Sequence, residues 1–278
     1  MNIETIEKNA FGHFAYLPKM LGFDVKENKQ LTTIDCGLGS SMFNIVCGTH
    51  FEKWAKNQRD VYCFENGIYQ GECAYYGEEF IEEKIHEVIT SFKKQPFSWW
   101  VGYSCDPEWL GNILHEMHFK KSTTEHAMMC DLEQFSALEN NGVITIDQVE
   151  TATQLEHFIQ VLEKYEASAR IFYEKLTKHL RYSNEKLFVA YENGAPVVIA
   201  SLYIDYENDS AGIFNLITAE NKRGLGYGTK MMNHLMWYAK KMNMKYATLL
   251  ASSDSGYRIY ERLGFKALGQ FECFEWEN

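Results

Sequence analysis

Residues 212–232 constrain the fold most, because they combine an apolar segment, a glycine-rich turn and a helical pattern. The apolar segment, residues 213–218, has the length and the β-branched character of a strand. Alternating glycines follow in the run Arg223-Gly224-Leu225-Gly226-Tyr227-Gly228. Beyond them, apolar residues recur at helical spacing as far as Ala239. The sequence therefore predicts a strand, a glycine turn and a helix, in that order.

The glycine turn favours the binding of a phosphate group. The first turn of a helix has unpaired N–H donors and a partial positive charge, and glycines let a ligand approach the backbone closely. Such a helix start is a common phosphate site. A P-loop is excluded because the chain has no G-x-x-x-x-G-K-[ST] run. A dinucleotide-binding fingerprint is also excluded, since the glycines are spaced G-x-G-x-G rather than G-x-G-x-x-G.

Three segments ahead of the turn have clear local signals. Thr151 starts a helical pattern with a Thr-x-x-Gln sequence, which predicts a capping box. Residues 167–180 have a second helical pattern. The dipeptide Asn193-Gly194 separates two apolar runs and predicts a two-residue hairpin turn. Together with residues 212–232, these signals predict alternating helices and strands in the second half of the chain.

Two motifs resemble the GCN5-related N-acetyltransferase (GNAT) superfamily. Arg223, Gly226 and Gly228 match its R/Q-x-x-G-x-G/A turn. Residues 257–265 are similar to its last helix, in which a tyrosine precedes a Leu-Gly-Phe ending. Gly264 suits the left-handed position that follows a helix. The two motifs occur in the order of the family, and the chain resembles its two-domain, tandem members.

The resemblance implies an α/β (α+β) architecture with a GNAT fold in residues 143–278, where a mixed, mostly antiparallel sheet is flanked by helices. Residues 1–138 are predicted to form a degenerate GNAT-like domain without its own chemistry. The segment around Leu114 is similar to that around Tyr260, and both end in Phe-Lys, but no glycine turn precedes the first. The polar, turn-forming residues 136–142 predict the boundary between the two domains.

The resemblance also implies that acetyl-CoA is the cofactor and that the glycine turn holds its pyrophosphate. The cofactor-binding residues implied in this way are Leu216, Ile217, Thr218, Arg223, Gly224, Leu225, Gly226, Tyr227, Gly228, Thr229, Ser252 and Tyr257. Tyr260 occupies the family position of the general acid that protonates the departing thiolate. The alternative for Tyr260 is packing against the cofactor without a proton transfer. No metal ion is predicted.

The implied function is an acetyl-CoA-dependent N-acyltransferase that moves an acetyl group to a primary amine of a small molecule or a peptide by direct attack. Stabilisation of the oxyanion is assigned to the backbone near Leu216. No motif identifies the base, and Asp205, Asp209, Asp254 and Glu272 remain open alternatives. The other function that the sequence allows is a non-catalytic acyl-CoA-binding or interaction module.

Composition limits the compartment and the partners. The chain has 278 residues and a net charge of −11. Nucleic-acid binding needs clustered Lys and Arg, so no nucleic-acid partner is expected, whereas a negative field attracts a cationic amine. Seven cysteines without a C-x-x-C pair suit a reducing compartment. No apolar run approaches the ~20 residues of a membrane helix. We therefore predict a cytoplasmic protein without a membrane segment, and we make no prediction of its oligomeric state.

Overall fold

The computed structural model describes residues 1–51, 62–65, 68–72, 78–93, 95–136 and 144–277. Its helices are α1 (Ile3–Met20), α2 (Glu78–Ser91), α3 (Leu110–Glu116), α4 (Ala152–Leu162), α5 (Ala169–Tyr173), α6 (Tyr227–Lys241) and α7 (Asp254–Arg262). Its strands are β1 (Asp24–Glu27), β2 (Thr32–Asp35), β3 (Asn44–Cys47), β4 (Tyr62–Glu65), β5 (Ile68–Glu72), β6 (Phe97–Val101), β7 (Lys120–Asp131), β8 (Thr145–Gln148), β9 (Glu185–Glu192), β10 (Ala195–Asp205), β11 (Ser210–Thr218), β12 (Tyr246–Ala251) and β13 (Lys266–Trp276).

The described chain divides into two compact units. Unit 1 comprises Met1–Gly22 and Glu125–Gln270, and unit 2 comprises Phe23–Thr124 and Phe271–Asn278. This division differs from the predicted domains, residues 1–138 and 143–278, at both ends of the chain. Helix α1 belongs with unit 1, and the end of the last strand belongs with unit 2. Residues 139–142, between the predicted domains, lie outside the described residues.

Unit 1 is built on a mixed sheet with the strand order β7-β12-β11-β10-β9-β8. Neighbouring strands are antiparallel except β11 and β12, which run parallel. The β11–β12 register covers only Ser210–Gly212 and Tyr246–Thr248, although both strands continue. The two strands therefore diverge beyond Gly212 and Thr248. The sheet confirms the predicted mixed, mostly antiparallel architecture with flanking helices.

The main core of unit 1 lies between the sheet and α6. Met231, Met232, Leu235 and Met236 of α6 are fully buried there. Alternate residues of β10, from Val198 to Ile204, pack into the same core. The intervening residues of β10 face the opposite side of the sheet, which α1 and α4 cover. Each face of the sheet is thus covered by helices whose apolar side chains recur at helical spacing.

Two structures in unit 1 agree with the predictions made from short sequence patterns. Asn193 and Gly194 both have positive φ, 50° and 80°, and join β9 to β10 as a tight hairpin. Thr151 and Gln154 form the predicted capping box at the start of α4. The helix predicted over residues 167–180 is instead divided into α5 and a 3-10 turn, Glu174–Lys178.

Unit 2 contains the strand order β1-β2-β3-β6-β13. Strands β3 and β6 are parallel, with Ile45 opposite Ser98, and β13 is antiparallel to β6. A parallel pair followed by an antiparallel strand also occurs in unit 1, where β12 is parallel to β11 and antiparallel to β7. The last strand of each unit comes from the other half of the sequence. Residues 126–131 of β7 pair with β12 in unit 1, and residues 272–276 of β13 pair with β6 in unit 2.

Candidate functional site

A cavity of about 790 Å³ lies in unit 1 between the end of β11, the start of α6 and α7. Its wall includes most of the residues that the sequence predicted as a cofactor site: Leu216, Ile217, Thr218, Arg223, Gly224, Gly226, Tyr227, Gly228, Thr229 and, opposite them, Tyr260. The two sequence motifs therefore meet at one cavity. They do so because β11 and β12 diverge and open the sheet between them.

Three predicted cofactor residues are not among those that line the cavity. Leu225 is 55 % exposed. Ser252 is exposed after the end of β12, whereas its neighbour Ser253 lines the cavity and accepts a hydrogen bond from the backbone N–H of Gly256. The ring of Tyr257 contacts the ring of His126 edge-on, with 4.9 Å between the centroids.

The glycine turn leaves the start of α6 open. Gly224 and Gly226 have φ of 78° and 79°, a left-handed conformation that glycine adopts far more readily than other residues. A Cβ built on either residue meets no atom within 4 Å. No side chain caps the helix at Gly226. The backbone N–H groups of the first turn are therefore accessible from the cavity, as an anion site requires.

Cationic side chains add to the positive field of the cavity. Arg258 and Arg262 line it from α7, one helical turn apart. Arg223 also lines it and donates a hydrogen bond of 2.9 Å to the hydroxyl of Tyr165. Sequence reasoning missed Arg258 and Arg262, although their i, i+4 spacing beside Tyr260 was a usable signal. The combination of cations and helix N–H groups suits a ligand with several phosphates.

Lys222 lines the same cavity and forms an ion pair with Glu192 at the end of β9. Glu192 also accepts a hydrogen bond from the hydroxyl of Tyr227. Lys222 and, after it, Tyr227 lower the pKa of the Glu192 carboxyl. The ion pair and the hydrogen bond connect the glycine turn to the β9–β10 hairpin and fix the position at which α6 begins.

Tyr260 keeps its proton at neutral pH in this site. Burial raises the pKa of the phenol, and the carboxyl group of Glu125 raises it further. Burial also raises the pKa of Glu125, to about 7. Glu125 precedes His126, which pairs with Ala251 at the end of β12. Sequence reasoning missed Glu125, because only the pairing of β7 with β12 brings it to this place.

A bulge interrupts β11 beside the cavity. Asn215 and Leu216 together lie opposite Ala200, and Asn215 has a φ of 52°. The amide of Asn215 donates hydrogen bonds to the hydroxyls of Tyr173, at 3.1 Å, and Ser201, at 3.2 Å. A bulge leaves a residue out of the ladder and re-aims the strand. Leu216, the next residue, consequently lies at the wall of the cavity.

The four alternatives for the base lie elsewhere. Asp205 accepts hydrogen bonds in the turn after β10, and Asp209 lies in the same turn with a φ of 49°. Asp254 is exposed in the first turn of α7. Glu272 belongs to unit 2, where it pairs with Lys121. Each of the four is absent from the residues that line the cavity.

The described part of the chain contains no group of three or more His, Cys, Asp or Glu residues placed to hold a metal ion. None of its helices has the length and apolar character that crossing a membrane requires.

Comparison with known proteins gives a family match for part of the chain and a shared fold. Residues 149–265 match the model of the acetyltransferase (GNAT) family. No curated protein sequence matches the chain. The structure is similar to a GCN5-related N-acetyltransferase from Kribbella flavida, with a TM-score of 0.65 and 13% identity over 95% of this chain and 93% of that chain.

Two other solved structures have the same fold. One is a conserved protein of unknown function from Staphylococcus epidermidis, with a TM-score of 0.62 and 14% identity over 93% of this chain and 95% of that chain. The other is a tandem GNAT protein from the clavulanic acid biosynthesis pathway, with a TM-score of 0.55 and 10% identity over 75% of this chain and 74% of that chain. At these identities the likeness concerns the fold alone.

Proposed function

We propose that the protein is an acetyl-CoA-dependent N-acetyltransferase, because residues 149–265 match the model of the acetyltransferase (GNAT) family. The acceptor in this proposal is a primary amine of a small molecule or a peptide. The observation that supports the proposal best is the meeting of the glycine turn and Tyr260 at one cavity. One of these features suits the phosphates of the donor, and the other suits its departing sulfur.

The cavity has the groups that acetyl-CoA needs. The open N–H groups at Gly226 and after it would bind the pyrophosphate, and Arg258 and Arg262 would bind further phosphate oxygens. The pantetheine arm would lie along residues 216–218, where β11 has left its pairing with β12. A strand edge without a partner offers backbone N–H and C=O groups to an extended ligand.

The chemistry requires an activated acetyl group, which the thioester supplies when it is bound. The bulge at Asn215 frees backbone groups near Leu216, and we assign the polarisation of the thioester carbonyl to that part of the strand. Tyr260 holds the proton that the departing sulfur requires, since its raised pKa keeps the phenol protonated. Direct attack by the amine needs no nucleophile from the protein.

Two measurements test the proposal. Acetyl-CoA is expected to raise the melting temperature, because a ligand that binds only the folded state stabilises it, whereas NADH is expected to have no effect. A library of primary amines is then screened for release of free thiol from acetyl-CoA. Stabilisation by CoA without thiol release from any amine would favour a non-catalytic acyl-CoA-binding module, and stabilisation by NADH alone would contradict the proposal.

A further inference from the structure

A second polar cluster lies on the face of the unit 1 sheet that α1 covers. Glu185 of β9 lies directly beside Tyr203 of β10 in the strand register. Nε2 of His13, on α1, lies 3.1 Å from Oε1 of Glu185. The imidazole also stacks on the ring of Phe214, with 3.6 Å between the centroids and 3° between the planes. These contacts fix the imidazole and the carboxylate relative to each other.

Two buried polar atoms of this cluster, Oε2 of Glu185 and Nδ1 of His13, have no hydrogen-bond partner among the described residues. The side chain of Glu185 is 0 % exposed. A buried carboxylate oxygen without a partner is unfavourable, and native structures rarely leave one. Oε2 of Glu185 therefore lacks a hydrogen-bond donor, which an ammonium group would supply.

His13 and Tyr203, beside the buried carboxylate of Glu185, are partly exposed, as are Phe214 and Asn215 of β11. The rings of Phe214 and Tyr203 flank the imidazole. Aromatic rings favour a cation over a neutral group. An ammonium group, which has three N–H donors and no acceptor, suits this environment.

The cluster is close to the proposed acetyl-transfer site. Phe214 and Asn215 precede Leu216, which lines the cofactor cavity. The amide of Asn215 donates a hydrogen bond to the hydroxyl of Tyr173. Burial and, after it, the charge of Glu185 raise the pKa of that hydroxyl well above its usual value. Strand spacing and rise place the backbones of Glu185 and Leu216 roughly 14 Å apart.

We propose that Glu185, held by His13, binds a second ammonium group of the acceptor, so that the acceptor is a diamine or a similar dication. A carboxylate stabilises the protonated form of an amine, so the group bound to Glu185 is not the nucleophile. The nucleophile is the amine at the other end, next to Leu216. The net charge of −11 attracts such a dication. This inference rests on the proposed acetyl transfer, because the site is assigned to the acceptor of that reaction. The binding of a diamine at Glu185 is tested separately.

The test is a calorimetric titration of the full-length protein, with and without saturating CoA. The probes are α,ω-diamines from propane-1,3-diamine to octane-1,8-diamine, each paired with the amino alcohol of the same length. We expect one chain length to bind best, and the diamine of that length to bind at least ~10-fold more tightly than its amino alcohol. Equal affinity of every diamine and its amino alcohol would overturn the proposal.

Glu185→Gln keeps the shape of the side chain and removes its charge. It is expected to weaken diamine binding about 10- to 100-fold and to change amino alcohol binding by less than about threefold. Glu133→Gln, an exposed position after β7, is the charge-matched control and should bind diamines as the wild type does. Unchanged diamine binding by Glu185→Gln would show that only water occupies the cluster, and it would overturn the proposal.

His13→Phe is the second variant and keeps the stack on Phe214 while it removes both ring nitrogens. It should weaken diamine binding as well, which keeps the test valid if Glu185→Gln does not fold. The outcomes for the two proposals are distinct. Diamine binding without thiol release from acetyl-CoA would contradict the acetyltransferase function alone, whereas acetylation of monoamines with no preference for diamines would contradict the Glu185 site alone.

Discussion

Burial and the nearby carboxyl group of Glu125 together raise the pKa of Tyr260, although Glu125 lies on β7 and Tyr260 on the last helix. A carboxylate beside a phenol disfavours the phenolate. Part of the rise in the pKa of the proposed acid thus comes from a residue outside residues 149–265, the segment that matches the family. The catalytic site that we propose therefore depends on a strand that begins in unit 2.

The first prediction concerns Tyr260. Tyr260→Phe removes one hydroxyl and keeps the ring, so the affinity for CoA should stay within a few-fold of the wild type. If the phenol protonates the departing thiolate, kcat should fall about 10²- to 10⁴-fold. The loss should be smaller with an acetyl thioester whose thiol has a lower pKa, because that leaving group needs the proton less. A kcat close to that of the wild type would limit Tyr260 to packing.

The second prediction concerns Glu125 and stability. Its carboxyl has a pKa of about 7 in the folded state against 4.5 as its reference value. Between these values the folded state binds more protons than the unfolded state, so stability falls as the pH rises through this window. Glu125→Gln removes this loss. The stability of Glu125→Gln, relative to that of the wild type, should be about 1–2 kcal/mol higher at pH 8 than at pH 5. This range allows for the partial exposure of Glu125.

Urea unfolding at pH 5 and pH 8 measures this difference. Glu133→Gln serves as the control, since its carboxyl is exposed. Identical pH dependence of the wild type and Glu125→Gln would show that the carboxyl of Glu125 titrates at its ordinary pH.

The third prediction concerns the cations on α7. Arg258→Gln should weaken CoA binding several-fold and make it less sensitive to salt, because one phosphate contact is lost. 3′-Dephospho-CoA lacks the ribose phosphate. If Arg258 contacts that phosphate, the variant and the wild type should bind 3′-dephospho-CoA equally well. Arg181→Gln, at an exposed arginine that does not line the cavity, is the matched control. An Arg258→Gln variant with wild-type affinity and salt dependence would exclude this contact.

The fourth prediction concerns Gly212, the last residue of β11 that pairs with β12. A Cβ built on Gly212 lies 1.9 Å from Oδ1 of Asn9 and 2.5 Å from the ring of Phe214. Gly212→Ala should therefore destabilise the protein by about 1–3 kcal/mol. In a double-mutant cycle with Asn9→Ala, the two losses should be less than additive, because the first variant already displaces Asn9 from Ser210. Additive losses would show that the two residues do not share this contact.

Local patterns were sufficient to predict the elements that carry the proposed cofactor site. Asn193-Gly194 predicts the hairpin because both residues tolerate positive φ, and the alternating glycines predict the open start of α6. The pattern over residues 167–180 did not predict the break after Tyr173. The burial of Phe172, Tyr173 and Leu176 against unit 1 outweighs the helical preference of that segment.

Pairings between distant parts of the chain could not be predicted. The membership of α1 in unit 1 depends on contacts such as that of Asn9 with Ser210. The position of Glu125 depends on the register of β7 against β12. The local sequence does not predict either contact. The pattern of apolar residues shows which face of a helix or strand is buried, but not which element packs against that face. The proposed acceptor site at His13 and Glu185 is of the same kind.

Calorimetric titration of acetyl-CoA into the wild type, Gly226→Ala and Gly194→Ala tests the central claim most directly. Both glycines have φ near 80° and open space around the added Cβ, so the two variants carry the same backbone strain. We predict binding at about micromolar affinity by the wild type and by Gly194→Ala, and a loss of roughly 100-fold or more in Gly226→Ala, whose Cβ occupies the approach of the pyrophosphate. Equal affinity of both variants, or no binding by the wild type, would contradict the account.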